Sequence, residues 1–427
     1  MTFAAVFSGE GTAFEAPRSL YVHVPFCASR CAYCDFHSYP RDRHSLELRA
    51  AYVAKLLARV EKVGAGMTES FETIYIGGGT PTTLDDEIFD SLIRGLRSIT
   101  GNSVREWTVE ANPESLSPFK LKTMVDNGVT RVSIGIQSMD DGELKILGRG
   151  ARSADNRRAV ALAMDSGLAV SADLITALPR AAKGEASLHD SASSPSLSET
   201  VEYLAGSGVE HISIYDLVVE EGTLIKTRLD EGAILPADDD AAFDERSAAE
   251  KSLESLGYGR YEVSNYAKPG CECLHNMAYW SMNSYLGIGS GAVSTLIVDS
   301  AAHAAKADGA ERRALRVEEG KNLADWLENP DDAAKFDWIE AKDSAFEMIM
   351  MGLRCSIGLD ENRFKSRFGL AAHDLLAGTM LKWSERFSRS EGHIRLDGRG
   401  LDLLNRILVD ALVEMDKRYS LSDGDNQ

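Results

Sequence analysis

Residues 19–36 read SLYVHVPFCASRCAYCDF, and residues 73–81 read TIYIGGGTP. Each is a short apolar run with Val or Ile at its centre, followed at once by a polar loop: three cysteines in the first case, three glycines in the second. The same rhythm recurs down the chain, giving apolar runs at Ser19–Phe26, Thr73–Ile76, Glu106–Val109, Arg131–Ile136, Ala169–Leu178 and His211–Val219. Several are too uniformly apolar to be half-exposed, as expected of strands covered on both faces. Helix-like stretches lie between them. Ser117 with Pro118 supplies an N-cap and a first-turn proline. Ser153 and Asp155 open a helix that Gly167 ends. Repeated strand–helix units predict a parallel sheet with right-handed crossovers, either open and doubly wound or curved into a barrel. In both, ligands sit at the C-terminal strand ends, where these polar loops fall.

Outward from this core the rhythm breaks at Arg180–Pro195, an Ala/Ser-rich stretch that reads as a surface insertion. Asp238–Leu256 reads as an acidic amphipathic helix leading out of the first domain. From about residue 300 mainly helical segments follow, including Asp343–Arg354 and Gly400–Met415, and Asp423–Gln427 reads as a disordered tail. The 427 residues carry 66 acidic and 46 basic side chains, a formal charge of −20. Such a surface argues against bulk nucleic acid or anionic membrane as partner. The N-terminus lacks the pattern of a signal peptide, and no stretch approaches the roughly 20 apolar residues that span a bilayer. Six cysteines, three of them within eight positions, look like metal ligands in a reducing compartment rather than a disulfide framework, so a cytoplasmic location is expected.

Cys27, Cys31 and Cys34 can bind three irons of a 4Fe–4S cube and leave the fourth open to a non-protein ligand. A zinc knuckle completed by His23 or His37 is the competing reading of this loop. Gly77, Gly78 and Gly79 let the backbone approach a ligand closely; alone, such a turn equally fits a tight strand-to-loop bend.

Together, the Cys-x-x-x-Cys-x-aromatic-Cys loop, with Tyr33 before the last cysteine, and the glycine turn resemble the radical S-adenosylmethionine (SAM) superfamily. That resemblance implies a partial (β/α)6 TIM-like barrel, a 4Fe–4S cluster, and SAM chelating its open iron. Motif for motif it assigns SAM-side roles to Tyr21, Tyr33, Gly78, Gly79, Thr80, Glu110, Gln137, Arg149 and Asp173. A carboxylate suits a ribose hydroxyl pair, and arginine suits the SAM carboxylate.

Within the superfamily, Ile-Ser-Ile-Tyr-Asp-Leu at 212–217 and Tyr-Glu-Val-Ser-Asn-Tyr at 261–266 are similar to the HemN/HemW group, over nearly the whole chain. In its oxidase branch, the oxygen-independent coproporphyrinogen III oxidases, a further cysteine lies two places after the third, where this chain has Phe36. The oxidase also has a longer N-terminal extension than the roughly twenty residues here. Residues 275–280, His-Asn-Met-Ala-Tyr-Trp, match the His-Asn-x-x-Tyr-Trp motif of the haem-chaperone branch. The resemblance therefore implies haem as cargo, with His275 as axial ligand and Tyr279 and Trp280 packing on the porphyrin. Cys273 is a thiolate candidate or a buried cysteine. Trp107, Trp326, Trp338, Trp383 and Cys355 read as packing residues. One departure is Leu178-Pro179-Arg180 where the group carries Leu-Pro-Gly-Gln.

The expected organisation is a flexible N-terminus over 1–16, a radical SAM barrel over 17–235, a connecting segment with the haem motif over 236–300, and a HemN-like C-terminal domain over 301–427. Expected partners are haem, an acceptor haemoprotein such as a respiratory one, and a reducing electron donor; a homodimer stays open. The competing function is a radical SAM enzyme such as the oxidase.

Overall fold

The computed structural model describes residues 6, 13–40, 44–65, 70–101, 103–181, 195–299, 306–307 and 310–424. Most of the expected flexible N-terminus, nearly all of the Ala/Ser-rich insertion and the last residues of the expected tail lie outside them. At the start of that insertion Arg180–Ala181 pair antiparallel with Ile234–Leu235.

All six expected runs are strands: β1 (Ser19–Val24), β2 (Thr73–Gly78), β3 (Glu106–Ala111), β4 (Arg131–Gln137), β5 (Ala169–Thr176) and β6 (His211–Asp216). The helices between them are α1 (Leu46–Gly64), α2 (Asp86–Thr100), α3 (Pro118–Asp126), α4 (Asp141–Ile146), α5 (Ser153–Asp165) and α6 (Leu197–Gly206). Ser117 caps α3 by accepting the Lys120 N–H at 3.3 Å, and the Asp155 carboxylate accepts the Arg152 N–H at 3.0 Å to open α5. The strands lie in the spatial order 1-2-3-4-5-6, every pair parallel. A doubly wound sheet would reverse its order at a switch point. This one winds in a single direction, as a barrel does, so the curved alternative is the one adopted.

The barrel does not close. After α7 (Leu224–Asp230) and α8 (Asp239–Ser255), β7 (Gly259–Arg260) and β8 (Asn265–Ala267) follow, and β8 pairs antiparallel with β6. Next come α9 (Leu274–Trp280) and β9 (Tyr285–Ile288), which runs parallel to β1 on the far edge. The sheet continues through β10 (Val293–Ile297), β11 (Ala310–Glu318) and β12 (Lys335–Glu340). The helix α8 does not lead away from the barrel: Ala249 and Leu253 are buried in the same core as the strands, and Ser252 donates to Glu202 on α6 at 2.9 Å.

The C-terminal portion is mostly helical. It contains α10 (Ala341–Leu353), a small sheet of β13 (Leu359–Asp360), β14 (Phe387–Ser390) and β15 (His393–Leu396), and the long α11 (Leu404–Gly424). Its core is joined to the barrel's through alternation on shared strands. Leu296 and Leu315 face the first core, while their neighbours Ile297 and Ala314 face the second. Trp107, Trp326 and Cys355 are buried packing residues, and Trp383 donates its indole N–H to Asp410 at 2.8 Å. Trp338 stacks on Phe14.

Alternation also decides what the barrel holds. Residues such as Val22, Ile74, Val109, Ile134, Ala172 and Ile212 are buried in the apolar core beneath the helices. Their neighbours Tyr75, Glu110, Arg131, Ser133, Asp173, His211 and Ser213 instead line an internal cavity. The interior is therefore polar, unlike the packed apolar layers of closed (β/α)8 barrels.

Candidate active site and the His-Asn-Met-Ala-Tyr-Trp plug

That cavity has a volume of about 430 Å³. Its lining includes Cys27, Cys31, Cys34, Tyr33, Gly78, Gly79, Thr80, Glu110, Gln137, Arg149 and Asp173. Of the expected cluster and SAM residues only Tyr21 is not in the lining; its hydroxyl hydrogen-bonds His23 Nδ1 at 3.0 Å. Tyr21 thus supports the ring that lies under Gly78 rather than reaching the cavity.

The cysteine loop is anchored on both sides. Phe26–Cys27 pair parallel with Tyr39–Pro40; Ala32 donates its N–H to Leu147 O and accepts that of Ile225, both at 2.9 Å. The three thiols line the cavity without converging on one point. Among the described residues no set of three or more His, Cys, Asp or Glu side chains focuses on a single metal-ion position. Burial raises the Cys27 thiol pKa and pushes that of Cys34 up to about 11. Both would therefore lose their protons only on meeting a metal.

A hydrogen-bonded chain ties the loop to three strand ends. Thr80 Oγ1 lies 3.9 Å from Cys27 Sγ and accepts from Asn112 Nδ2 at 3.0 Å. Arg149 donates to Asn112 Oδ1 at 2.8 Å, to Gly135 O at 2.7 Å and to Cys31 Sγ at 3.5 Å. Its Nε is buried without a hydrogen-bond partner, an open donor beside the cysteines. Sequence reading passed over Asn112; its signal lay in Val-Glu-Ala-Asn-Pro, one polar residue past the glutamate singled out there.

The glycine turn is a close-fitting cradle. A Cβ on Gly77 would meet the Glu110 carboxylate at 2.7 Å, and one on Gly79 the Phe26 carbonyl oxygen at 2.6 Å. Gly78 sits at φ +105°, where a side chain would strike the His23 ring. Glu110 accepts from the Tyr75 hydroxyl at 2.9 Å and the Gly78 N–H at 3.2 Å. Burial raises its pKa to about 7, with Asp173 opposing its charge as well. Asp173 accepts from Ser133 at 2.9 Å, and burial raises its pKa too. Gln137 ends β4 in the left-handed region at φ +65°, a strained position for a non-glycine residue. The orphaned Arg149 nitrogen, the glycine cradle and the three thiols fit a 4Fe–4S cluster with SAM.

The His-Asn-Met-Ala-Tyr-Trp segment lies at the opposite end. His275 packs on Thr73, the first residue of β2, whereas the glycine turn begins at its last residues. Five residue steps of strand, about 17 Å, separate the two ends. Glu106, the first residue of β3, accepts the Leu274 and His275 N–H groups at 2.8 and 2.9 Å and so holds the start of α9 against the barrel floor. His275 is fully buried. Its Nδ1 lies 2.8 Å from Thr73 Oγ1, and its Nε2 lies 2.8 Å from the Tyr279 hydroxyl. Thr73 gives its own proton to Ser19. Nδ1–H therefore donates to Thr73, and the Nε2 lone pair takes the phenol proton. Desolvation lowers the His275 pKa to about 3.

Where the resemblance implied an axial ligand, both ring nitrogens are here engaged by Thr73 and Tyr279. The Arg354 guanidinium lies 3.9 Å from the Trp280 ring centroid, and Tyr279 packs edge-on against Tyr285. Cys273 is buried, with its thiol 3.4 Å from Glu106. From this motif Asn276 lines the cavity.

Residues 21–190 match the Radical SAM superfamily and residues 339–403 the HemN C-terminal domain. The chain is 29% identical to the haem chaperone HemW of Bacillus subtilis over 411 residues, covering 93% of this chain and 100% of that one. It is 37% identical to the haem chaperone HemW of Escherichia coli over 282 residues, covering 65% of this chain and 69% of that one. Among solved structures, the coproporphyrinogen III oxidase HemN of Escherichia coli, a radical SAM enzyme, superposes with a TM-score of 0.74 at 18% identity. That match covers 96% of this chain and 92% of that one, and at such identity it speaks for the fold alone. No helix among the described residues is long and apolar enough to cross a membrane.

Proposed function

The chain belongs to the radical SAM superfamily, in its group of HemW-like proteins, and from that premise we propose that it is a haem chaperone, binding haem and passing it to an acceptor haemoprotein. Similarity along the whole length of a relative bearing that name carries the reading. Phe36 supports it, since it replaces the further cysteine of the oxidase pattern and stands 66% exposed at the cavity.

Cys27, Cys31 and Cys34 would hold the cluster, and the glycine cradle, Arg149, Glu110 and Asp173 would hold SAM. When bound, these groups supply a one-electron reductant and a source of the 5′-deoxyadenosyl radical. The chain's own work is to orient them. Arg149 and Thr80 fix two of the three sulfurs, the Gly78 N–H and Tyr75 fix Glu110, and the plug at the floor closes the far end of the barrel. A reducing electron donor and an acceptor haemoprotein complete the proposed partners.

The test is haem titration of the anaerobically reconstituted protein, followed at the Soret band, with coproporphyrinogen turnover measured in parallel. Stoichiometric haem binding without turnover is the expected result; turnover without haem binding would make the chain an oxidase that tolerates Phe36. Cys31→Ala is expected to abolish the cluster's visible absorbance while the far-ultraviolet spectrum stays native.

A further inference from the structure

The side-chain amide of Asn112 stands between the donors to two of the three cysteine sulfurs. Asn112 directly follows β3 and lines the cavity; its backbone carbonyl accepts the Ser115 and Leu116 N–H groups at 3.0 and 3.1 Å, which holds it in place. Arg149 approaches one end of the amide at 2.8 Å and Thr80 Oγ1 the other at 3.0 Å. A guanidinium can only donate, so the amide oxygen faces Arg149 and the amide nitrogen faces Thr80. That orientation sets the bonds beyond it. Thr80 Oγ1 receives a proton from Asn112, which leaves the hydroxyl's own proton for Cys27 Sγ, 3.9 Å away. A thiolate bound to iron can only accept it. On the other side Asn112 Oδ1 and Gly135 O, the latter at 2.7 Å, both accept from Arg149 Nη2. Nη1 then reaches Cys31 Sγ at 3.5 Å, and Nε is left open. The packing is close: a Cβ on Gly135 would meet Asn112 Oδ1 at 3.1 Å and Gln137 Nε2 at 2.8 Å. Ser38 and Tyr33 also hydrogen-bond Cys27 and Cys31, by routes that do not pass through Asn112.

We propose that Asn112 is a positioning residue for the cofactors, its amide fixing the direction of the hydrogen bonds that reach Cys27 through Thr80 and Cys31 through Arg149. The inference rests on the cluster and SAM assignment and is independent of whether haem is the cargo. Hydrogen bonds to the sulfurs raise the reduction potential of an iron–sulfur cluster, because they stabilise the added negative charge of its reduced state. Asn112 thereby governs how readily the cluster takes an electron. The same amide keeps Arg149 turned so that its Nε stays free for the SAM carboxylate. Asparagine is the residue this task needs. An aspartate would accept from Thr80 instead of donating to it, and so would draw the hydroxyl proton away from Cys27.

The experiment is a redox titration of the anaerobically reconstituted full-length protein, with the reduced cluster read by electron paramagnetic resonance, beside iron content and SAM affinity. Asn112→Asp is expected to lower the midpoint potential. Measured against Thr80→Val alone, the fall should shrink in the double variant, because the route to Cys27 is already cut. Measured against Ser38→Ala alone it should stay whole, because that bond takes another route. Leucine accepts nothing from Thr80, so Asn112→Leu should keep the wild-type potential. It should weaken SAM about fivefold, the scale of one hydrogen bond, since Arg149 loses one of the two oxygens that hold it. A fall of equal size in all three backgrounds would mean that the added charge acts on the cluster directly. An Asn112→Leu potential as low as that of the aspartate variant, or wild-type SAM affinity in it, would mean that Asn112 only supports the loop. Each of these results overturns the proposal. If Asn112→Asp takes up no iron, the leucine variant decides by the same two readouts. A wild type that assembles no cluster would overturn the cofactor assignment itself.

Discussion

Glu110 and His275 show how burial sets what a titratable group can do. Glu110 has a folded-state pKa of about 7 against 4.5 as its ordinary value. The folded state thus holds this proton more tightly than the unfolded chain does. The contribution to stability is full below about pH 4.5 and is lost as pH rises to about 7. Urea unfolding at pH 5 and pH 8 should show wild type losing stability relative to Glu110→Gln across that window; parallel behaviour of the two would refute the buried-carboxyl assignment. His275 has the opposite sign, since its depressed pKa makes the unfolded chain the better proton acceptor as pH falls below about 6.5. His275→Ala removes two hydrogen bonds and leaves a cavity, so we expect a loss of about 2–4 kcal/mol, with the Soret band of bound haem unmoved. A displaced Soret band at unchanged stability would mark the imidazole as an iron ligand. Residue identity alone was enough to single out His275, but not to show that Thr73 and Tyr279 meet its two nitrogens.

Among the elements, the six strands were legible because each carries a β-branched centre and ends in a polar loop. What distinguishes a winding barrel from a doubly wound sheet is the pairing order, which no local pattern encodes; the superfamily resemblance supplied it. A second signal was present and unread. Tyr75 and Gly77 in β2, Thr108 and Glu110 in β3, and Arg131 and Ser133 in β4 alternate with apolar neighbours, a period of two that marks a polar inner face. The expectation that α8 leaves the first domain failed for a physical reason: its acidic face is solvated, but Ala249 and Leu253 are small and leucine-sized residues that seat against the barrel. The short α9 depends on Glu106 in the same way. Its seven residues are too few to be stable alone. Glu106→Ala should therefore release α9 and expose its N–H groups, seen as faster hydrogen exchange at Leu274 and His275 than in the outer helices. Protection retained there would mean that packing alone holds the plug.

At the level of the whole molecule, the two cores are not independent lobes joined by a linker. Strands β10 and β11 give Leu296 and Leu315 to one core and Ile297 and Ala314 to the other, so each core is the other's wall. The sequence suggested a domain change near residue 300 because helical periodicity takes over there. It could not show that β9 to β12 extend the barrel sheet before the helices begin, since short strands and an intervening helix blur the period. A chain ending at residue 340 would keep every strand of the main sheet but strip α10 and α11 from the far face of β10 to β12, baring Ile297, Ala314 and Ile339. A continuous apolar sheet face of that kind drives association. The truncated chain is accordingly expected to elute as soluble aggregate in size-exclusion chromatography, and a well-behaved species that keeps its cluster would show that the barrel folds without its C-terminal wall. The shared strands also place the floor of the cavity within reach of the second core. Arg354, just past α10, pairs with Glu262 at 2.9 Å and covers Trp280 of the plug. Loosening the C-terminal helices would thus free the plug helix that carries Asn276, coupling the C-terminal portion to whatever the barrel holds.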